Sequence, residues 1–421
     1  METVNINKNI SLHYIKMQKL KTTVVGMYIR RKLKREEAAF NAVLPYVLKS
    51  GCKKYTSTRE IAKQLEILYG ARMGAGVIKN GDNQVIFFDC ETISDKYAPD
   101  SQKLIAGLTT LLSSVVFEPL CDKESFLADI VEREKNTVKN KINAMINDKR
   151  SYAQIRCIEE MCENDAFSIS KFGEIEDVDK INTHNLYEHY KKIITSSQID
   201  IFVSGEADLE SLTEEIRSYI KDLDFCNCEC SDSKIITPAN DIKRVTDKLE
   251  VTQGKLAIGF TTGISAKDED YPALVIANSI FGAGTHSKLF MNVREKLSLA
   301  YYASSNLNKY KGILTVNAGI EFDNFKKAFD ETMLQLGELK KGNISEDEIN
   351  FSISTIINAL NSYYDDQRYM QLYALDCRYL NIEADLEEYK RKLMAVTKDD
   401  IIRVSDKIKE NTVYFLAGNS Q

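Results

Sequence analysis

The run VVGMYIRR (24–31) is built from strand-prone residues and predicts a β-strand, and over 36–49 the apolar positions switch to helical spacing. A second helix follows directly. Ser57 and Glu60 form an S-x-x-E capping box, Ile61, Leu65 and Leu68 repeat at helical spacing, and Gly70 can take the positive φ that closes the helix. GARMGAGVIKNGDNQVIFFDCE then predicts two strands joined around Asn80-Gly81-Asp82, with Val85, Phe87 and Phe88 as strand-prone bulk. Helical patterns at about 100–115, 123–147, 150–163 and 180–193 lead into the strand IDIFVSG (199–205) and a further helix.

The second half repeats this order. KLAIGFTTG (255–263) predicts a strand, a helix ends near Gly282, and SKLFMNVREKLSLAY supplies the next helix. YYASSN and GILTVNAGI pair as the Asn80 hairpin does. Long helices follow around 324–340 and 345–374, and TVYFLAG closes the half as IDIFVSG closes the first. Gly205 and Gly418, at the ends of these two strands, are 213 residues apart, so two similar units of about 200 residues are expected. CNCECSDSKIITPANDIK (226–243) is polar, contains Pro238 and lacks periodicity, which marks a linker. The expected division is an N-terminal domain over 1–225, a linker over 226–245 and a C-terminal domain over 246–421.

Composition narrows the classes of function. With 421 residues, 43% hydrophobic and 28% charged, the chain has ordinary globular values. A net charge of −6 provides no basic field to collect phosphate backbones, so nucleic acid is not an expected partner. Nine scattered cysteines fit reduced thiols better than a disulfide framework and point to the cytoplasm. METVNINKNISLHY lacks the features of a secretory signal, and no run approaches 18 apolar residues, so no membrane association is expected.

Candidate chemistry is sparse. Of His13, His184, His189 and His286, only the pair in HNLYEH (184–189) is suggestive. A spacing of five puts its two rings about 140° apart around a helix, too far to share an ion as an i, i+4 pair does. Cys226, Cys228 and Cys230 alternate as CxCxC, which an extended chain could offer to a soft metal. The spacing is not C-x2-C, however, and no second cluster completes four ligands, so exposed linker thiols are the plainer reading. FGAGTHS (281–287) has the wrong spacing for a GxGxxG turn and reads as a helix stop.

Two segments carry a resemblance. SKLF (287–290) with VREKLSLAYYASS (293–305) resembles the SRLF…REKxGLAYSV signature in the C-terminal domain of the pitrilysin or insulinase family of zinc peptidases, which includes the mitochondrial processing peptidases. LPYVLKSGCKKYTSTREIAKQLEILYGA (44–71) is similar to the N-terminal segment in which that family carries its zinc motif HxxEH. The resemblance implies an α+β fold of two tandem similar domains, each a mainly antiparallel sheet packed with helices. Anchored on Gly51, Ser57, Arg59, Glu60 and Ile61, it puts the zinc-binding histidines at Ala42 and Tyr46 and the catalytic glutamate at Pro45. EREKNTVKNK (132–141) puts Lys141 where the third ligand, a glutamate, stands. Alanine has no donor atom, a phenol with pKa near 10 is a poor zinc ligand, lysine brings like charge, and proline cannot act as a base and favours a helix kink. No catalytic residue, metal site or cofactor is therefore expected.

Arg294 and Tyr301 match the family's arginine and tyrosine pair, whose implied role is to hold substrate near the scissile bond. A guanidinium and a phenol suit a peptide carbonyl or an oxyanion; the plainer alternative is a surface salt bridge and a strand-core tyrosine. The resemblance implies the non-catalytic subunit of a heterodimeric zinc peptidase, whose partner of similar length carries HxxEH and with which it closes around a peptide substrate. The alternative is a stand-alone or homodimeric peptide-binding scaffold. An active enzyme with an unrecognised site finds no support in the spacing of the 62 carboxylates.

Overall fold

The structure is a computed structural model that describes residues 1–99, 102–228 and 230–419. It divides into two compact units, one of residues 1–143, 169–232 and 363–376, the other of residues 144–168, 233–362 and 377–421.

The first unit is built on six strands, β1 (Glu2–Asn5), β2 (Ile10–Lys16), β3 (Thr22–Lys32), β4 (Arg72–Asn80), β5 (Asn83–Ile93) and, after a two-residue pair β6 (Cys121–Asp122) and β7 (Ser125–Phe126), β8 (Gln198–Gly205). Their order is β1-β2-β8-β3-β5-β4, antiparallel throughout except for the β2–β8 pair. Val24, Val25, Met27 and Ile29 make β3 a buried central strand. The β4–β5 hairpin turns at Gly81, whose φ of 56° is the left-handed conformation expected of it. The Arg35–Lys49 and Leu104–Phe117 helices pack on the sheet. The Gln367–Leu380 helix also meets it, Gln371 Nε2 donating to the Val24 carbonyl at 3.1 Å and Arg368 bridging Asp89 and Glu91 at 2.8 Å each.

The second unit holds β9 (Lys243–Leu249), β10 (Gly254–Thr261), β11 (Ala300–Asn308), β12 (Ile313–Ile320) and β13 (Lys409–Gly418), in the order β11-β12-β10-β13-β9 with only β9–β13 parallel. Read from its other edge, β9-β13-β10-β12-β11 reproduces β2-β8-β3-β5-β4 strand for strand, with the parallel pair in the same place. The repeat expected from the order of elements is thus a repeat of topology. The Lys149–Met161 helix packs on β10 and β13, and Gly259 leaves room for it: a β-carbon there would lie 2.8 Å from Met161 Sδ.

Several local expectations need correction. The capping residue Ser57 does accept the Glu60 amide, but the returning bond from Glu60 goes to the Thr56 amide at 2.6 Å, one residue earlier. The helix expected from residue 123 begins at Ala128, because Lys123 and Glu124 take positive φ in a tight turn between β6 and β7. The single helix expected over 345–374 is three pieces, Glu346–Asn361, a 3-10 turn over Ser362–Asp365, and Gln367–Leu380. Asp366 marks the restart, its carboxylate accepting the amides of Arg368 and Tyr369 as a cap does. SKLFMNVREKLSLAY is only partly helical: Leu289–Lys296 forms a π-helix and the strand begins at Ala300.

Candidate functional site

The first-unit site is built on the Arg35–Lys49 helix, whose first turn carries Glu36 and Glu37, favourable at the positive end of the helix dipole. Ala42 is fully buried, Pro45 is buried, and Tyr46 is half-buried one turn beyond Ala42. Pro45 has no N–H to offer the Asn41 carbonyl, yet the helix runs on to Lys49. Tyr46 lies over β4, where a β-carbon on Gly76 would come 3.4 Å from its hydroxyl. Lys141, from the Ala128–Asn147 helix, sets its ammonium 5.4 Å from the centre of the Tyr46 ring. The positions at which the resemblance implies two of the metal ligands are therefore neighbours in space, but they form a cation–π contact.

A second ammonium reinforces this. Burial and then the charge of Lys141 lower the pKa of Lys171, a residue that no motif or periodicity singled out. Beside Ala42, Asn41 donates to Gln84 Oε1 at 2.8 Å and is bonded to His189 Nε2 at 2.8 Å, while Gln84 donates to the carbonyls of Ala38 and Lys171. Burial holds His189 down to about 4, so the ring is neutral near pH 7 and occupied by a hydrogen bond. Two lysines, a phenol and an alanine cannot hold Zn²⁺. Among the described residues no group of three or more His, Cys, Asp and Glu is arranged to hold a metal ion.

The other candidate histidines are dispersed. His184 lies 3.3 Å from the Glu124 carbonyl, away from the inward-turned His189. His13 is buried between Thr3 and Asp200 at 3.0 Å each, and His286 sits 3.1 Å from Ser352 Oγ. All nine cysteines are free; Cys226 is exposed, and Cys228 and Cys230 are half-buried.

In the second unit the π-helical turn leads through Ser298, at φ 50°, into β11. Arg294 stacks 4.5 Å over the Phe290 ring and lies 3.5 Å from Glu295. Tyr301 is 54% exposed, so it is not a core residue, and its hydroxyl donates to the Glu321 carboxylate. That hydrogen bond and the charge of Glu321 raise the phenol's pKa and keep it a neutral donor. Each side chain is engaged locally, and both reach solvent.

The family description "Peptidase M16 inactive domain" matches residues 180–356. The chain is 36% identical to the "Probable inactive metalloprotease YmfF" of Bacillus subtilis (strain 168), over 97% of this chain and 96% of the relative. Among solved structures it superposes on a conserved protein from Enterococcus faecalis V583 with a TM-score of 0.92 and 27% identity, covering 100% of this chain and 99% of that one. It also shares its fold with a peptidase M16 inactive domain from Pseudomonas fluorescens, at a TM-score of 0.81 and 15% identity, over 99% of this chain and 98% of that one.

Proposed function

The chain belongs to the M16 peptidase family, the pitrilysin and insulinase family, as an inactive, non-catalytic member, and from that premise we propose that it is the non-catalytic subunit of a two-chain zinc peptidase. Its partner is a chain of similar length carrying HxxEH, and its own contribution is wall and substrate contacts rather than chemistry. The observation that carries this reading is the contact between Tyr46 and Lys141, at positions where the resemblance implies metal ligands, together with the exposure of Arg294 and Tyr301. The role of these two is to hold peptide carbonyls through N–H and O–H groups, the Tyr301 hydroxyl leaving Glu321 to do so. β4 supports the same reading. As an edge strand it presents one row of backbone groups with which an extended peptide can pair. The nine free thiols suit a reducing compartment such as the cytoplasm.

The test is co-expression with an HxxEH chain encoded beside it. The expected result is copurification at one to one and peptidase activity that falls at least about tenfold when Arg294→Ala and Tyr301→Phe are introduced together, with the complex intact. No association, or unchanged activity in the double variant, defeats the proposal. Peptide binding by the chain alone, without such a partner, would leave it a homodimeric or stand-alone scaffold.

A further inference from the structure

One face of the second sheet carries a buried polar group that the fold leaves unsatisfied. Asn317, in the middle of β12, is 3% exposed, and neither its amide nitrogen nor its amide oxygen has a hydrogen-bond partner. Buried amides are nearly always paired, so an orphan of this kind marks stored cost, a place for an ordered water, or a missing ligand. Strand alternation places Asn317 on one face with Thr315 and Gly319, while Leu314, Val316, Ala318 and Ile320 fill the opposite, apolar face. The register sets Ser304 of β11 beside Asn317 and Tyr302 beside Gly319. Gly319 is needed there: a β-carbon would stand 2.4 Å from a carbon of the Tyr302 ring.

The Lys149–Met161 helix covers this face unevenly. On the β10 and β13 side it lays Ala153 and Cys157 against Ala257, Tyr414 and Leu416. Toward β11 it offers the polar side chains of Arg150 and Gln154. The Arg150 guanidinium lies 4.2 Å from the centre of the Tyr302 ring and reaches Ser304 Oγ at 3.4 Å, and Gln154 reaches Thr315 Oγ1 at 3.3 Å. Both hydrogen bonds are long, so these donors retain capacity. Lys255 sets its ammonium 5.9 Å from the centre of the same ring, with its pKa lowered by burial. The nearby carboxylate, Asp148, is taken up in capping the helix, accepting the amide and hydroxyl of Ser151. Arg150 and Lys255 against Asp148 leave one positive charge.

We propose that this face, with Asn317, Ser304, Arg150 and Lys255 as its contacts, binds the carboxylate of a peptide. A single net positive charge matches a single carboxylate. The guanidinium supplies a fork of donors for its two oxygens, and the Asn317 amide gains the acceptor it lacks. The inference rests on the reading of the chain as a peptide-binding protein, but not on its having a catalytic partner.

The test is fluorescence anisotropy of the full chain with N-terminally labelled tetra-alanine, as the free acid and as the C-terminal amide. A third probe, an amidated peptide with one internal glutamate, separates a chain terminus from an acidic side chain as the source of the carboxylate. The free acid or the glutamate peptide is expected to bind about tenfold more tightly than the amidated tetra-alanine. Arg150→Gln, a change at an exposed position, should abolish that difference. Asn317→Val should abolish it too and, by removing an unpaired buried amide, should raise the melting temperature without peptide. Equal binding of all three probes, no binding of any, or a difference that survives both substitutions overturns the proposal. If no HxxEH partner assembles but acid and amide are still distinguished, only the subunit reading falls; if a partner assembles and they are not distinguished, only the carboxylate site falls.

Discussion

The helix that carries Ala42, Pro45 and Tyr46 is fastened to the sheet by a buried ion pair, and breaking it tests how the degenerate site is held. Arg31, at the end of β3, is fully buried; it donates to both Glu37 oxygens, at 2.9 Å in its shortest bond, and to Ser196 Oγ at 2.9 Å. Lys192, itself 47% exposed, donates to Glu37 at 2.7 Å. Burial pushes the Glu37 carboxyl up, but the Lys192 hydrogen bond and the Arg31 charge outweigh it and hold its pKa at about 2. Glu37→Ala strands a guanidinium out of water and should cost about 3–5 kcal/mol at pH 7. Removing both charges, as Arg31→Met with Glu37→Leu, should cost far less, because well-packed apolar residues often replace a buried pair without loss. The wild type gains stability from Glu37 above the unfolded carboxyl pKa near 4.5 and loses it as pH falls toward 2. That contribution is about 2 kcal/mol after discounting for screening at the exposed Lys192 side. Urea unfolding followed by circular dichroism at pH 7 and pH 3 measures both effects. A loss below about 1 kcal/mol in Glu37→Ala, or a double variant as damaged as the single one, would refute the reasoning.

Two further outcomes are expected. The His189 imidazole should titrate by NMR with a midpoint of about 4 rather than at its ordinary 6.5; because the unfolded chain takes up the proton first, this site costs roughly 2–3 kcal/mol of stability as pH drops from 6.5 to 4. His189→Gln should flatten that part of the profile, and a midpoint near 6.5 in the folded protein would contradict the burial argument. Among the thiols, exposed Cys226 should react with a disulfide reagent in the native protein, whereas Cys157, pushed up to about 12 by burial, and fully buried Cys90 should react only after unfolding. Native labelling of Cys157 at the rate of Cys226 would count against the packing described for the second sheet.

Apolar period carried the central strands and the repeat, because β3, β10 and β12 are buried runs and β5 carries Val85, Ile86 and Phe88 in the core. It missed β2 for a reason visible in the fold. Ser11 and His13 look like a solvent face, yet both are buried, His13 being satisfied by Thr3 and Asp200, 187 residues away along the chain. The β9 sequence KRVTDKL likewise alternates half-buried and exposed positions with charged residues on both, so Val245 and Leu249 are too diluted to announce it. The helices over 149–161 and 367–376 pack with units remote from them in sequence, and an amphipathic stripe carries no information about which sheet receives it.

The site divides in the same way. Resemblance set Tyr46 and Lys141 at one place, and their separation of 95 residues closes to a ring contact. Lys171 and Asn317 left no trace in the sequence. The first matters only through a charge brought beside it, the second only through hydrogen bonds that the surrounding side chains do not make. A residue whose significance lies in a missing partner becomes legible only once every neighbour has a position, which is why the replaced ligand types could be read from letters and the orphaned amide could not.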